Sequence, residues 1–166
     1  MNTFQIIILA GFFGSTILGL LVVLSNPEKR LNRYFLVTTG LIIFWLFCMF
    51  MITLQPSDSP SFSFWTRQVS AAAGLLPLGF FILKHVILKP EVTILGLCCK
   101  LRYLLVSSFL VCILCQTHFF MRLAYFSSPE DTVPLGDYGP GFILYIAYFV
   151  FTMPIRLTPK GTTCSV

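Results

Sequence analysis

The sequence predicts an all-α, polytopic integral membrane protein, a bundle of about five transmembrane helices. Of its 166 residues, 57% are hydrophobic and only 10% are charged, whereas soluble domains carry roughly 25% charged residues. The mean hydropathy is +0.88. The charged residues fall in short segments that separate five apolar stretches, most of them near the roughly 20 residues that a helix needs to cross the hydrocarbon layer.

The predicted spans are apolar runs without the alternation of a membrane barrel. They form a single membrane domain and cover residues 4–24, 34–54, 69–88, 103–121 and 139–158, followed by a short cytoplasmic tail at 159–166. The first, second and fourth contain no charged residue. The third carries Lys84 and His85 near its end, where a lysine ammonium can reach the headgroups. The fifth has the shortest apolar core.

Basic residues predict the orientation. Of the 11 lysines and arginines, all except Arg67 and Arg122 fall on one side of the predicted spans. The positive-inside rule then places the amino terminus outside and the carboxyl terminus in the cytoplasm of a multi-pass cell-membrane protein. A cleavable signal peptide is the alternative for the first span, but its uncharged start and long apolar run argue against it. The net charge of +5 is thus a topology signal, and no nucleic-acid partner is expected.

Two features concern helix packing in the lipid bilayer. Gly11, Ser15 and Gly19 are spaced four apart and predict a stripe where another helix can approach closely. Pro77 removes one backbone hydrogen bond and predicts a kink in the third span.

The loops on the outer side are rich in turn residues. Residues 55–66 end in Phe62, Phe64 and Trp65, which we expect to anchor at the membrane interface. Residues 127–141 form an acidic loop long enough to fold over the mouth of the bundle. A possible outer ligand face combines this loop with the end of the fourth span: Gln116, His118, Glu130, Asp131 and Asp137. A solvated connector is the alternative interpretation.

No catalytic, metal or cofactor motif is recognised. His85 and His118 fall near opposite membrane faces, roughly 20 Å apart at about 1.5 Å per helical residue, which is too far to share one iron. Cys112 and Cys115 lie within a span, where a thiol behaves as a small hydrophobe. No phosphate-binding glycine loop or nucleophile with a nearby base is present in the sequence. We therefore expect neither an enzyme nor a cofactor.

One group of residues carries a family resemblance. They lie in the first loop, in the second and third spans and before the fifth span: Asn26, Pro27, Asn32, Arg33, Trp45, Arg67, Pro77, Tyr138 and Gly139. In this pattern the chain resembles the amino-terminal seven-helix membrane region of bacterial histidine kinases. The resemblance implies a sensory bundle, with its amino terminus outside, that signals through its last helix to a cytoplasmic transmitter. The chain departs from the family in having about five helices and no kinase segment, as a truncated product or a stand-alone component would.

Three functions remain open at this point. The first is a sensory or input module whose partners are the bilayer and other membrane helices or a histidine-kinase transmitter. The second is a small structural or assembly protein that acts through helix–helix contacts. The third, a transporter fragment, is disfavoured because the spans hold no ionisable side chain at midplane depth.

Overall fold

A computed structural model describes residues 3–56, 59–88, 94–125 and 135–152, with the side chains of 94–100 excepted. In chain order the elements are α1 (Thr3–Ser25), α2 (Arg30–Thr53), α3 (Pro60–Leu88), α4 (Ile94–Cys115), β1 (Met121–Tyr125), β2 (Leu135–Tyr138) and α5 (Gly141–Thr152). The predicted helical class is confirmed. The antiparallel hairpin of β1 and β2 was not predicted.

Within the described residues, α1, α2 and α3 are long and apolar enough to cross a membrane. Their 23, 24 and 29 residues correspond to about 34 to 44 Å, against a hydrocarbon layer of about 30 Å. The part of α4 whose side chains are described, Leu101–Cys115, and α5 are shorter apolar helical segments. Large apolar side chains are exposed on all of these helices, among them Ile7, Leu21, Phe80, Phe109 and Phe151. Such a surface is suited to contact with lipid.

The start of α3 differs from the predicted span. The helix begins at Pro60 rather than near residue 69, so residues 60–66, predicted as a loop, are helical. The Ser59 hydroxyl accepts a hydrogen bond from the Ser61 amide at 3.2 Å, and proline suits the first helical position, where an amide proton is not needed. These residues are therefore a helix start. Phe62 is fully buried, which corrects its prediction as an interface anchor, whereas Phe64 is 51% exposed.

The ends of α4 and α5 also differ from the predicted spans. Residues 116–121 do not continue α4, because the amides of Gln116 and Thr117 bond three residues back in a tightened final turn, and β1 follows. The fifth helix begins at Gly141 and is described as far as Thr152. The remainder of the predicted fifth span and the tail at 159–166 lie outside the described residues.

The helices run up and down in sequence, and each packs antiparallel on the next. The Gln5 amide of α1 bonds the carbonyl oxygen of Thr53 at the end of α2, and Gln68 of α3 bonds Gln116 beside the end of α4. We call this side of the bundle, which also carries β1 and β2, the hairpin end. The opposite side, with the link between α1 and α2, is the far end.

The predicted small-residue stripe of α1 faces α2. Gly19 is buried, and a Cβ atom placed there would lie 3.0 Å from the Thr39 side chain. Gly11 faces Leu46 in the same way at 3.6 Å, and half-buried Ser15 lies between the two glycines on the stripe. Close approach of α1 and α2 therefore occurs along the stripe within this one chain.

Side chains of the neighbouring helices donate hydrogen bonds to backbone carbonyl oxygens of α3. From α5, the hydroxyl of Tyr145 bonds Ser70 at 3.0 Å. From α4, the thiol of Cys112 bonds Ala71 at 3.5 Å. From α2, the hydroxyl proton of Thr38 is shared between its own helix and Gly79 of α3, both at 3.1 Å. Three helices are thereby attached to one.

A buried hydroxyl chain completes this attachment. Tyr148 of α5 donates to the carbonyl oxygen of Gly74 at 2.9 Å, and its oxygen lies 2.8 Å from that of Ser108 on α4. Because a phenol has one proton and a carbonyl only accepts, the Ser108 hydroxyl is the donor to Tyr148. Pro77 lies buried one turn further along α3, which continues through it to Leu88.

Replacing Tyr148 with phenylalanine removes the donor to Gly74 and the acceptor for Ser108. Interhelical hydrogen bonds within membranes contribute about 0.6 to 1.7 kcal/mol, so we expect Tyr148→Phe to lower the thermal midpoint in detergent by a few degrees. Ser108→Ala leaves the bond to Gly74 intact and should cost less. Equal midpoints for wild type and Tyr148→Phe, followed by circular dichroism, would contradict this account.

Candidate functional site

The hairpin is fixed to the ends of α4 and α5 by close backbone contact. The Gly139 amide donates to the Phe120 carbonyl oxygen at 2.9 Å, and the Gly141 amide donates to that of Phe119 at 3.0 Å. A Cβ atom at Gly139 would overlap the Phe119 carbonyl oxygen, so no side chain fits there. Gly139, one of the residues on which the resemblance rests, therefore holds the base of the hairpin.

Aromatic rings fill the space beneath the hairpin. Phe120, fully buried, contacts the rings of Tyr138 and Tyr145, and Tyr138 stacks on Phe142 with their centroids 4.1 Å apart. Partial burial raises the pKa of the Tyr138 phenol. These contacts give the hairpin an apolar foundation on α5.

Arg67 of α3 fixes the other side of the hairpin. Its guanidinium donates to the Met121 carbonyl oxygen at 2.7 Å and lies 3.1 Å from His118 Nδ1. Because a guanidinium only donates, Nδ1 accepts this bond and the neutral ring carries its proton on Nε2. A longer contact of 3.5 Å reaches the Gln116 carbonyl oxygen. Nearby, the Ser63 hydroxyl accepts a bond from the Ala124 amide at 3.1 Å.

The charge of Arg67 is not balanced by these neighbours. Its hydrogen bonds are all to neutral acceptors, and within the described residues no carboxylate lies at ion-pair distance from it. Its Nε atom is buried and has no hydrogen-bond partner in the same part of the chain. A buried donor without a partner costs roughly 1 to 3 kcal/mol, more when the group is charged. The side chain is thus held in place by neutral acceptors, and its guanidinium retains a donor without a partner among the described residues.

Arg67 borders a cavity of about 530 Å³ between α3 and the hairpin. We call it the hairpin pocket, and its lining residues are Ser59, Pro60, Ser63, Phe64, Arg67, His118, Arg122, Leu123, Ala124 and Tyr125. Two arginines, one histidine, two serines and the phenol of Tyr125 supply its polar groups, and among the residues that the structure describes the lining contains no acidic side chain. Arg122 is exposed on β1. The pocket therefore favours an anion with an apolar portion.

The structure brings together part of the predicted ligand face. Gln116 and His118 meet Arg67 and Gln68 of α3, although Gln116 itself does not line the hairpin pocket. Asp137 is exposed on β2 opposite Leu123 and lies outside the pocket lining. Glu130 and Asp131 lie outside the described residues.

Composition and spacing did not identify Arg67, Arg122 and the two serines as pocket residues. One signal was available, because Arg67 and Arg122 are the two basic residues that depart from the one-sided distribution of positive charge.

The first-loop motif residues lie at the far end and close the turn between α1 and α2. The Asn32 side chain donates to the carbonyl oxygens of Val22 at 2.9 Å and Asn26 at 2.8 Å, and Arg33 Nε donates to that of Pro27 at 3.0 Å. These bonds satisfy the end of α1 and fix the angle to α2.

The remaining motif residue, Trp45 of α2, has a buried indole nitrogen without a hydrogen-bond partner among the described residues. His85 and His118 lie near opposite ends of the bundle. Across the described ranges, no group of three or more histidine, cysteine and acidic side chains could hold a metal ion.

Comparison of the chain with protein-family profiles, curated proteins and solved structures finds no match. The resemblance to the membrane region of histidine kinases therefore rests on the motif residues alone.

A methyl group at Gly139 should disrupt the hairpin, because it collides with the Phe119 carbonyl oxygen. Overpacking costs typically about 1 to 3 kcal/mol, so we expect Gly139→Ala to lower the thermal midpoint in detergent by several degrees. Gly40→Ala is the matched control, since nothing lies within 4 Å of a Cβ atom at that exposed glycine of α2. Equal effects of the two substitutions would refute the close contact.

Proposed function

We propose that this protein is a multi-pass membrane input module that binds a small anionic ligand in the hairpin pocket. One observation carries the proposal. Arg67, held by the Met121 carbonyl oxygen and His118, lines the pocket together with Arg122, and its contacts in the described residues leave its charge unbalanced.

The chemistry of the lining favours a carboxylate or phosphate group. Arginine presents its donors in a planar fork that matches both groups, and bonds between charged partners are roughly twice as strong as neutral ones. Because Arg67 is already immobilised by protein contacts, a ligand meets a preorganised donor and loses less entropy on binding. Leu123 and Phe64 offer apolar contact to the rest of the ligand.

Binding at this pocket can be communicated to the helices. The guanidinium of Arg67 joins α3 to the segment between α4 and β1 through His118 and Met121. An anion bound to the remaining N–H groups of Arg67 pulls on these two bonds and so favours a different spacing of α3 and the hairpin. A ligand shifts such an equilibrium by its difference in affinity for the two arrangements.

We further propose five spans, with the hairpin end outside the cell and the far end in the cytoplasm. The distribution of basic residues supports this orientation. Among described residues, the hairpin end has Arg67 and Arg122, and the following lie at or toward the far end: Lys29, Arg30, Arg33, Lys84 and Arg102. A histidine-kinase transmitter or other membrane helices would then receive the signal on the cytoplasmic side. The proposal of a transmitter as partner rests on the family resemblance.

The structural or assembly function has less support. Its motivating feature is the stripe of Gly11, Ser15 and Gly19, which faces α2 and is already occupied within the chain. A stripe used in this way is not a free surface for a second protein.

Anion binding can be measured on the full chain in an uncharged detergent. We expect sodium phosphate or sodium acetate, but not sodium chloride at the same ionic strength, to raise the thermal midpoint. For Arg122→Gln, about ten times more anion should be needed for the same rise in the thermal midpoint, because a hydrogen bond to a charged group contributes about 1.5 to 3 kcal/mol. Arg67→Lys keeps the charge but loses the planar arrangement of guanidinium donors, and should weaken anion binding as well.

Arg30→Gln is the matched control, since Arg30 is exposed at the far end. It should respond to the anions as the wild type does. Equal stabilisation by chloride, or an unchanged response in Arg122→Gln, would overturn the ligand-binding function.

Orientation can be tested by cysteine labelling in a variant without the native cysteines. Leu135→Cys on β2 and Glu28→Cys in the link between α1 and α2 both replace exposed residues. With an impermeant maleimide, we expect Leu135→Cys to react in intact cells and Glu28→Cys to react only after permeabilisation. The reverse pattern would invert the proposed topology.

A further inference from the structure

A second cavity lies between α4 and α5, away from the hairpin pocket. We call it the α4–α5 groove, and its volume is about 600 Å³. It is lined by Phe81 of α3, by one face of α4 from Tyr103 to Leu114, and by residues of α5 that include Leu144, Ala147 and Thr152. The floor is buried at Leu104, Val111 and Tyr148, whereas the rims are exposed. The groove is thus open along one side to the surroundings of the helices.

The hydroxyl groups of the groove are already used by the protein. Ser107 donates to the Leu104 carbonyl oxygen at 3.1 Å, and Thr152 donates to that of Tyr148 at 2.8 Å. The Tyr148 hydroxyl donates to Gly74 and accepts from Ser108. A ligand therefore finds satisfied hydroxyls and hydrocarbon walls, which suits an alkyl chain better than a polar solute.

The length of the groove matches half of a bilayer. From Tyr103 to Leu114 the helix rises about 16 Å at about 1.5 Å per residue. One leaflet contributes about 15 Å of hydrocarbon, half of a core about 30 Å thick. An acyl chain that enters beside Tyr103 can follow the groove to the middle of the membrane or slightly beyond.

The end of the groove at Tyr103 carries a positive charge. Arg102 donates to the Tyr103 hydroxyl at 2.9 Å, and its guanidinium carbon lies 4.7 Å from the centre of the same ring. Both residues are exposed, and Tyr103 has 74% of its surface accessible. Aromatic and basic side chains typically meet the bilayer at headgroup level, where arginine attracts anionic lipid.

We propose that the α4–α5 groove binds one acyl chain of an anionic phospholipid whose headgroup lies against Arg102. The satisfied hydroxyls favour a hydrocarbon chain, and the groove is about as long as the hydrocarbon layer of one leaflet. Arg102 favours a negatively charged headgroup. This site is independent of the hairpin pocket, and Arg67 and Arg122 take no part in it.

The test is native mass spectrometry of the full chain in detergent, with phosphatidylglycerol and phosphatidylcholine of identical acyl chains as probes. We expect phosphatidylglycerol to bind more tightly. Arg102→Gln should reduce its affinity about fivefold, the equivalent of about 1 kcal/mol for one basic residue near the surface, and should abolish the preference over phosphatidylcholine.

A second variant tests the groove itself. Ala147→Phe places a ring in the cavity and should reduce the binding of both lipids. Ile146→Phe is the matched control, because Ile146 is exposed on the same helix outside the groove lining. Equal binding of the two lipids to the wild type would overturn the headgroup assignment, and unchanged lipid binding in Ala147→Phe would overturn the groove.

Discussion

Hydrogen bonds to the backbone of α3 are the interactions on which the arrangement of the helices depends. Lipid tails are as apolar as leucine, so burial of apolar side chains does little to bring helices together in a bilayer. In this protein, Thr38, Tyr145 and Tyr148 reach carbonyl oxygens of α3 from two neighbouring helices. Gly79 permits the approach on the side of α2, where a Cβ atom would lie 3.0 Å from Leu41. The central helix thus supplies acceptors and its neighbours supply donors.

The sequence was sufficient for those parts of the fold that depend on local composition. Uninterrupted apolar runs predicted α1 and α2 to within a few residues, because length and charge alone define such helices. The start of α3 was missed since Ser59 and Pro60 occur both in turns and at helix starts. The hairpin was missed because its strands have only five and four residues, too few for a clear alternation.

The candidate site was predictable only in part, for a related reason. Gln116 and His118 were selected as polar residues beside a span, and both contact α3. Their meeting with Arg67 depends on the antiparallel packing of α3 and α4, which joins residues 51 positions apart in sequence. No local pattern encodes that distance. The α4–α5 groove was also beyond prediction, because its lining comes from three helices whose packing no local pattern encodes.

The positions of the charges along α3 restrict how this helix can move. Arg67 and Lys84 bracket its apolar segment, about 26 Å apart at about 1.5 Å per residue. A piston-like slide in either direction would draw one of the two cations into hydrocarbon, at a cost of about 2.5 to 3.5 kcal/mol near the centre of the membrane. Rotation about the helix axis and changes of tilt keep both cations at their interfaces. If α3 spans a membrane in the proposed orientation, its movements are therefore restricted to rotation and tilting.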